Sequence, residues 1–250
     1  MEWKRKPGTW QMTEHTKNGV LYVTFPLLDA EQGFVHGFST RIGGVSEGDL
    51  SSMNLSFTRG DDPERVRENY RRIAAAVGFE TDRLVLTHQT HTNHVRVVTE
   101  ADAGKGFVRE RDYTDVDGLV TDVPQLVLTT FYADCVPLFF IDPVHRAIGL
   151  SHSGWRGTVS DIAAATVRTM REEYGSRPED LRVGIGPSIC QDCYEVSEDV
   201  IEEFRASYEE KLWMRLYREN GNGKYQLNLW EACRQNLLRA GVLPDRIEVT

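Results

Sequence analysis

The chain has 250 residues, enough for one large domain with a substantial core. Hydrophobic residues make up 40% of it and charged residues 27%, the balance of an ordinary globular protein. The formal net charge of -9 argues against sequence-independent nucleic-acid binding, because that activity needs a broad basic surface that displaces phosphate counterions. A local basic pocket for a small anion remains compatible with this charge.

The N-terminal sequence and the small number of cysteines both favour a location in the reducing cytoplasm. The segment MEWKRKPGTWQM has basic residues but no apolar run after them, so it does not resemble a secretory signal. No stretch approaches about 18 uninterrupted apolar residues, so no membrane span is expected. Four cysteines are too few for a disulfide scaffold. We therefore predict a cytoplasmic protein with no membrane partner.

The predicted elements follow one another without a low-complexity linker or an internal repeat. In chain order they are a strand at 20–25, a helix at 63–77, strands at 84–87, 95–98, 119–121, 126–132, 139–142 and 147–151, a helix at about 160–174, a strand at 182–185, and helices from about 197 and from 228. Several strands are too continuously apolar to have a face in water. Strands outnumber helices and often adjoin without a helix between them, so we predict one α+β domain over residues 1–250, with a mixed sheet flanked by about four helices.

Capping signals place the ends of two helices. Asp62 followed by Pro63 predicts where the first helix begins, and Gly78 predicts where it ends. Asn228, with Glu231 three positions later, resembles a capping box at the beginning of the last helix.

Three histidines, His88, His91 and His94, lie between two strand-like runs. Their spacing would align them on one face of a helix, but in an extended chain a spacing of three puts neighbours on opposite faces. We therefore expect at most one or two of them to point into a common site. The ordinary alternative for each is a solvated or hydrogen-bonded histidine.

Two further candidates lie on separate segments. Cys135, beside Asp134, follows an apolar run. A lone cysteine there is commonly a small buried side chain, and a neighbouring carboxylate raises its pKa unless a metal or histidine offsets it. His152 belongs to SHSGWRGT, whose glycines allow a sharp turn before a helix and whose Arg156 adds a forked donor for phosphate or another oxyanion. The alternative is an ordinary strand-to-helix turn with a surface arginine.

A histidine of the first segment, Cys135 and His152 together would make an open zinc site. A structural zinc ion normally has four protein ligands, whereas three leave a fourth position for water or substrate. Zinc lowers the pKa of bound water to about 7, which makes hydroxide available at neutral pH.

The other cysteines and one glycine-rich stretch are weaker indications of a functional site. Cys190 and Cys193 form a single C-x-x-C, which we interpret as a loop feature, with a redox or metal pair as the alternative. Cys233 is predicted to pack on the apolar face of the last helix. The stretch HGFSTRIGGVS, which contains Arg41, resembles an anion-cradling loop, although it matches neither common glycine-rich nucleotide motif.

In this order, these segments resemble the YfiH/YlmD-type family. The matching motifs are HGFSTRIGGVS with Asn54-Leu55, GDDPERVRENYRR, QTH, ADCVPL, HSGWRGT and GIGPSICQDCYEV, within roughly residues 33–240. Members have carried the names polyphenol oxidoreductase or laccase, and purine nucleoside phosphorylase with adenosine deaminase activity. The resemblance implies a mixed α/β fold shared with certain cysteine-hydrolase toxins.

The resemblance also implies ligands and substrates. By motif, the metal ligands are His91, Cys135 and His152, so His88 and His94 are not the expected ligands. The implied activities are phosphorolysis of adenosine, inosine and methylthioadenosine to free base and ribose 1-phosphate, and deamination of adenosine. The family pattern continues, beyond the last residue of this sequence, with a further cysteine and an arginine-rich segment, where no residue can be assigned.

Four other side chains receive roles as hypotheses. Arg41 and Arg156 are candidates for binding phosphate, and Asn54 for binding the sugar or the base. Asp134 is a candidate acid or base, or a residue that acts through a metal ligand. The expected partners are purine nucleosides and phosphate, and the expected cofactor is Zn²⁺, with Cu²⁺ as the alternative; the preferred nucleoside and the oligomeric state stay open.

Three rival functions are compatible with some of these residues. A metal-free cysteine hydrolase would use Cys135 as nucleophile and His152 as base. A copper oxidase of phenols would need more histidines than the seven present, none of which forms an H-x-H pair. A non-catalytic, zinc-stabilised module linked to cell-wall precursors predicts that His91→Ala unfolds the domain, whereas a catalytic site predicts a folded, inactive protein.

Overall fold

The computed structural model describes residues 12–250, so the N-terminal segment up to residue 11 lies outside the described residues. The helices are α1 (Pro26–Asp29), α2 (Pro63–Val77), α3 (Trp155–Val159), α4 (Ile162–Tyr174), α5 (Glu198–Ser207), α6 (Glu210–Leu216) and α7 (Leu229–Arg239). The strands are β1 (Thr13–Lys17), β2 (Val20–Thr24), β3 (Phe38–Ser39), β4 (Leu84–Leu86), β5 (Val95–Val97), β6 (Gly118–Thr121), β7 (Val127–Thr129), β8 (Val136–Asp142), β9 (Ala147–Ser153), β10 (Arg182–Ile185), β11 (Glu195–Ser197), β12 (Tyr217–Gly221), β13 (Lys224–Leu227) and β14 (Ile247–Val249). The predicted α+β class is confirmed.

The largest sheet has six strands in the order β14-β10-β8-β9-β6-β5. Its centre is the antiparallel hairpin of β8 and β9, whereas β10 with β14 and β5 with β6 are parallel pairs. One face of this sheet packs on α4 and α7, and α5 contributes to the same core from beside α3. Buried side chains of these layers meet there, among them Phe140, Met170, Phe204 and Leu237. The central strands therefore sit in a rigid core, which fixes the side chains at their ends.

Smaller sheets complete the fold. Strands β1-β2-β3 form an antiparallel sheet against which α2 packs through Val20 and Ile73, and β4 pairs in parallel with β7. Strands β11-β13-β12 form an antiparallel sheet near the C-terminal helices. Among the residues from 12 to 250, no helix combines the length and apolarity needed to cross a membrane.

Capping predicts helix ends well in α2 and α7 but misses a break before α4. The Asp62 carboxylate accepts a hydrogen bond from the Glu64 N–H, and Gly78 ends α2 in a left-handed conformation. The predicted helix at about 160–174 is in fact preceded by the separate helix α3. The chain turns at Asp161, which has a φ of 61°, and the Asp161 carboxylate then caps α4.

Three predicted strands near the site exist, but their predicted bounds are wrong. Strand β8 begins at Val136, so Cys135 precedes a strand, and the run predicted at 126–132 is a strand only over Val127–Thr129. Strand β9 continues to Ser153, so His152 lies within a strand and not beyond one. The cause is the register of the hairpin, in which Val136 pairs with Ser153 and thereby extends both strands beyond their most apolar part.

Candidate metal centre

Three side chains from separate segments converge at one end of the β8–β9 hairpin. One ligand atom of each of His91, Cys135 and His152 lies within 4.8 Å of the others. The Cys135 Sγ is 3.8 Å from the His91 Nε2, and the two imidazole rings are 4.9 Å apart at 79°. His152 is buried, Cys135 is half-buried and His91 is exposed, so the group faces solvent on one side. We call these three residues the triad.

The other two histidines of the first segment point elsewhere. His88 Nδ1 accepts a hydrogen bond from the backbone N–H of Asp115, and His94 Nδ1 lies 3.1 Å from the carbonyl oxygen of the same residue. The expectation that at most one or two of these histidines enter a common site therefore agrees with the structure.

The hairpin register explains why Cys135 and His152 meet and why a glycine follows. Pro137 pairs with His152 and Val136 with Ser153, so Cys135 and Gly154 come next at the open end of the ladder. A Cβ atom on Gly154 would lie 2.7 Å from the His91 Cδ2 and 3.1 Å from the Cys135 Sγ. Only glycine leaves room for the triad to close at this position.

Asp117 holds both imidazole-bearing segments. Its buried carboxylate accepts hydrogen bonds from His152 Nδ1 at 2.8 Å and from the backbone N–H groups of Thr90, His91 and Thr92 at 3.0–3.1 Å. Its own carbonyl oxygen accepts the backbone N–H of His152 at 2.7 Å. When the proton of His152 is on Nδ1 and is hydrogen-bonded to this carboxylate, the lone pair on Nε2 is free to bind a metal between His152 and the other two triad residues.

The Asp117 carboxylate also accounts for the unusual backbone at His91. Three successive N–H groups point at one carboxylate, and His91 has a φ of 66°, a left-handed conformation that is uncommon outside glycine. This turn directs the His91 ring towards Cys135, which a regular strand would not do.

The charges around the triad favour a bound cation. Burial and then the negative charges of Asp134 and Asp117 raise the pKa of the Cys135 thiol to about 11. Burial alone would raise the pKa of Asp117, but the hydrogen bonds from His152 and from the Thr92 and Thr90 backbone outweigh it and hold the pKa at about 2. An anionic Asp117 beside a potential thiolate is a combination that a divalent cation would stabilise.

Burial is also the largest influence on the pKa of His91. It lowers the pKa of this imidazole, and the charge of His152 lowers it further. His91 is therefore expected to be neutral at neutral pH, which is the form that binds metals.

The donor set and its spacing fit a zinc ion. Two imidazole nitrogens and one thiolate are typical zinc ligands, with bond lengths of about 2.1 Å to nitrogen and about 2.3 Å to sulfur. These lengths place nitrogen and sulfur about 3.6 Å apart on a tetrahedral edge, close to the 3.8 Å between His91 and Cys135. Across residues 12–250, the triad is the one such group of three or more potential ligands, so a fourth protein ligand is not in place.

The triad opens onto a large cleft with an aromatic side. The cleft has a volume of about 2120 Å³ and is lined by all three triad residues and by Tyr132 and Phe38. The Tyr132 ring lies 5.7 Å from the His152 ring and 6.0 Å from the Phe38 ring. A cleft above the roughly 300–1,000 Å³ of a small-molecule site holds such a ligand in only part of its volume.

Arg156 lies on the exposed side of the helix that follows His152. Its guanidinium stacks 4.2 Å from the Trp155 ring and contributes electrostatically at His91. It has no carboxylate partner within residues 12–250, so its donors remain available to an anion near the triad. Helix α3 is only 5 residues long, so the positive charge at this place comes mainly from the Arg156 guanidinium and not from the helix dipole.

Arg41 and Asn54 line the same cleft but bond within their own loop. The Arg41 guanidinium donates to the Ser51 carbonyl through two nitrogens, at 2.6 and 2.8 Å. The Asn54 amide donates to the Ser56 carbonyl and to the Asp61 carboxylate. Their roles in binding phosphate, sugar or base therefore stay predictions.

The remaining sequence candidates lie around the triad without joining it. Asp134 is exposed, and its carbonyl oxygen accepts the Ile189 N–H at 3.0 Å. Cys233 is 1% exposed in the core beneath the site, which agrees with its predicted packing role. Asp117 and Tyr132 were not singled out from the sequence, and Gly154 was noted only as part of a turn before a helix. An acidic residue directly before an apolar strand is a signal that could have identified Asp117.

Comparison with known proteins places the site in context. Residues 35–250 match the family model described as "Multi-copper polyphenol oxidoreductase laccase". Purine nucleoside phosphorylase YlmD of Geobacillus stearothermophilus is 37% identical over 87% of this chain and 80% of that protein. Adenosine deaminase RL5, from an unknown prokaryotic organism, is 36% identical over 83% of this chain and 79% of that protein. The crystal structure of Bacillus licheniformis hypothetical protein YfiH has a TM-score of 0.86 and 33% identity, and covers 94% of this chain and 86% of that one.

Proposed function

Because the chain belongs to the multi-copper polyphenol oxidoreductase laccase family and resembles members named for nucleoside chemistry, we propose that it is a zinc-dependent enzyme acting on purine nucleosides. We propose phosphorolysis of adenosine, inosine and methylthioadenosine as its main activity and deamination of adenosine as a second one. The observation that carries this proposal is the triad, which offers three metal ligands and opens onto a cleft.

A zinc ion bound by the triad would supply a Lewis acid and lower the pKa of a bound water. The residues of the chain prepare the site for it. Asp117 fixes the tautomer and the orientation of His152, and Gly154 lets His91 and Cys135 approach each other. The rings of Tyr132 and Phe38 offer an apolar surface on which a purine base can stack.

In phosphorolysis, a phosphate oxygen forms a bond to the ribose C1′ while the C1′–N9 bond breaks. The purine leaves with the bonding electrons and takes up the proton that the attacking phosphate hydroxyl gives up, and the products are free base and ribose 1-phosphate. We assign phosphate binding chiefly to Arg156, because its guanidinium is exposed near the triad, and keep Arg41 as a second candidate. Asn54 stays a candidate for the sugar or base.

In deamination, the oxygen of water forms a bond to C6 of adenine and the exocyclic amine leaves as ammonia. The attacking water must lose a proton and the leaving amine must gain one, and we assign this transfer to Asp134, whose carboxylate accepts the proton from the water and passes it to the amine. Asp134 is exposed beside Cys135 at the edge of the site. The similarity to adenosine deaminase RL5 supports this second activity.

Two rivals are less compatible with the site. A metal-free cysteine hydrolase needs an activated thiol, whereas burial and two carboxylates raise the pKa of Cys135 to about 11. Multicopper oxidation needs several copper centres, whereas one group of three ligands is found among residues 12–250. Copper in place of zinc at the triad remains the alternative cofactor.

The proposed activities are tested with inosine and with adenosine, each with and without inorganic phosphate. Ribose 1-phosphate, free base and ammonia are measured, for the chain itself and for Cys135→Ser as a matched inactive control. We expect hypoxanthine and ribose 1-phosphate from inosine only when phosphate is present. Base release that does not require phosphate would contradict phosphorolysis, and adenosine consumption without ammonia would contradict deamination.

A further inference from the structure

The C-x-x-C motif lies in a tight turn between β10 and β11. The backbone N–H groups of Cys193 and Tyr194 both donate to the carbonyl oxygen of Cys190, each at 3.0 Å. Bonds from positions i+3 and i+4 to one carbonyl describe a single helical turn, which puts side chains three residues apart on the same side. Cys190 and Cys193 are therefore placed within the Cα separation that a disulfide tolerates without backbone rearrangement.

Both thiols of the motif are accessible, and the pKa of Cys190 shifts in the opposite direction to those of Cys135 and Cys233. Cys193 is exposed and Cys190 is half-buried, so both are open to a small reagent. Burial alone would raise the pKa of Cys190, but hydrogen bonds from the Cys193 thiol and from the backbone N–H groups of Cys193 and Asp192 outweigh it and lower that pKa. In contrast, burial raises the pKa of Cys233 to about 11, as it does for the triad cysteine.

We propose that Cys190 and Cys193 are a redox-active pair that forms a reversible disulfide by exchange with a low-molecular-weight disulfide. The Cys190 thiolate attacks one sulfur of the small disulfide, the S–S bond of that molecule breaks, and one small thiolate leaves. The Cys193 sulfur then attacks Cys190 and displaces the second small thiolate. The protein loses two protons and two electrons, and the two small thiols carry them away.

The pair is connected to the triad but does not belong to it. The Ile189 N–H, one residue before Cys190, donates to the carbonyl of Asp134, and Gly186 N–H donates to the carbonyl of Pro137. These bonds tie the turn to both sides of the triad cysteine. Because the turn is already closed, the disulfide forms without moving these anchors, and we expect the metal ligands to stay in place.

The proposal is tested on the full chain in glutathione buffers of increasing disulfide content, followed by trapping of remaining thiols and digestion with trypsin. Both cysteines fall in one tryptic peptide, from residue 183 to Arg205, that has no internal lysine or arginine. We expect this peptide to lose two hydrogen atoms and both alkylation tags, and to regain them after treatment with dithiothreitol. The bound metal is measured before and after.

Two variants make the result specific. Cys193→Ser should stop at a mixed disulfide between Cys190 and glutathione, whereas Cys233→Ser should leave the pair unchanged. The proposal is overturned if the peptide keeps both thiols in fully oxidising buffer, or if Cys135 rather than Cys193 becomes the partner of Cys190. Since mass and thiol content are read without nucleoside turnover, this outcome is independent of the proposed enzymatic activity.

Discussion

Two loop regions that both carry polar motifs differ in where their polar atoms point. In the loop that contains Arg41 and Asn54, guanidinium and amide donors bond to carbonyls and to Asp61 within the same loop. In the triad, the potential ligand atoms of three distant residues face one another. Asp117 accepts a hydrogen bond from His152 Nδ1, the ring nitrogen that is turned away from the other two residues. Polar groups that satisfy each other locally stabilise a conformation, whereas polar groups held together without local partners indicate a place for a ligand.

The largest effect that this difference predicts concerns the triad cysteine. If the proposed function holds, Cys135→Ser should reduce phosphorolysis about a thousandfold or more, because the substitution removes a proposed metal ligand. The bound zinc should fall in parallel when measured by elemental analysis, while the fold is retained. Cys233→Ala is the matched control, and it should lower the melting temperature but leave zinc content and kcat nearly unchanged. Full activity in zinc-free Cys135→Ser would rule out the metal-dependent mechanism.

A smaller effect is expected at the residue that orients His152. Asp117→Asn keeps the shape of the side chain but replaces a carboxylate acceptor, so zinc affinity should fall about 10- to 100-fold. Competition with a chromophoric chelator measures this change. Thermal unfolding followed alongside separates the loss of metal from a loss of fold, and an affinity equal to that of the unchanged chain would show that Asp117 does not act through His152.

The raised pKa of Cys135 predicts how metal binding depends on pH. The thiol is protonated below its pKa of about 11, so binding the ion must displace one proton from it. The apparent zinc affinity should therefore rise with pH, about tenfold per unit between pH 7 and 9. Calorimetry in buffers of different ionisation enthalpy counts the released protons. An affinity that is independent of pH would mean that Cys135 is already ionised or is not a ligand.

The smallest effects are expected at Arg156 and Arg41, the two arginines that are candidates for binding phosphate. Arg156→Ala should raise the KM for phosphate about tenfold, because it removes a charge-assisted donor near the triad. Arg41→Ala should change that KM little and instead lower the free energy of unfolding by about 1 kcal/mol, because Arg41 binds the Ser51 carbonyl. The reverse result would assign phosphate to Arg41.

The sequence was sufficient where local signals decide the structure. The cap at Asp62, the stop at Gly78 and the apolar strands at the centre of the large sheet were predictable from neighbouring residues. Three short strands were not predicted: β12 is mostly exposed and polar, β13 has only two buried apolar side chains, and β14 is formed by pairing with the distant β10. Such strands depend on their partners and not on their own composition.

The difference between structure set by neighbouring residues and structure set by distant partners also applies to the candidate metal centre. Motif resemblance identified the triad, but spacing alone left three histidines as equivalent candidates. The choice among them depends on a left-handed turn at His91 that is set by Asp117, 26 residues away in the chain. Likewise, the need for glycine at 154 follows from the hairpin register, which brings Cys135 opposite it. These relations are tertiary, and no local pattern encodes them.

Whether His91, Cys135 and His152 form an open zinc site is measured by X-ray absorption at the zinc edge of the purified protein containing one equivalent of zinc. We expect one sulfur at about 2.3 Å, two imidazole nitrogens at about 2.0–2.1 Å and one exchangeable light ligand. The sulfur contribution should vanish in Cys135→Ser. A site with two or more sulfur ligands, or with four ligands all from the protein, would contradict an open centre built by His91, Cys135 and His152.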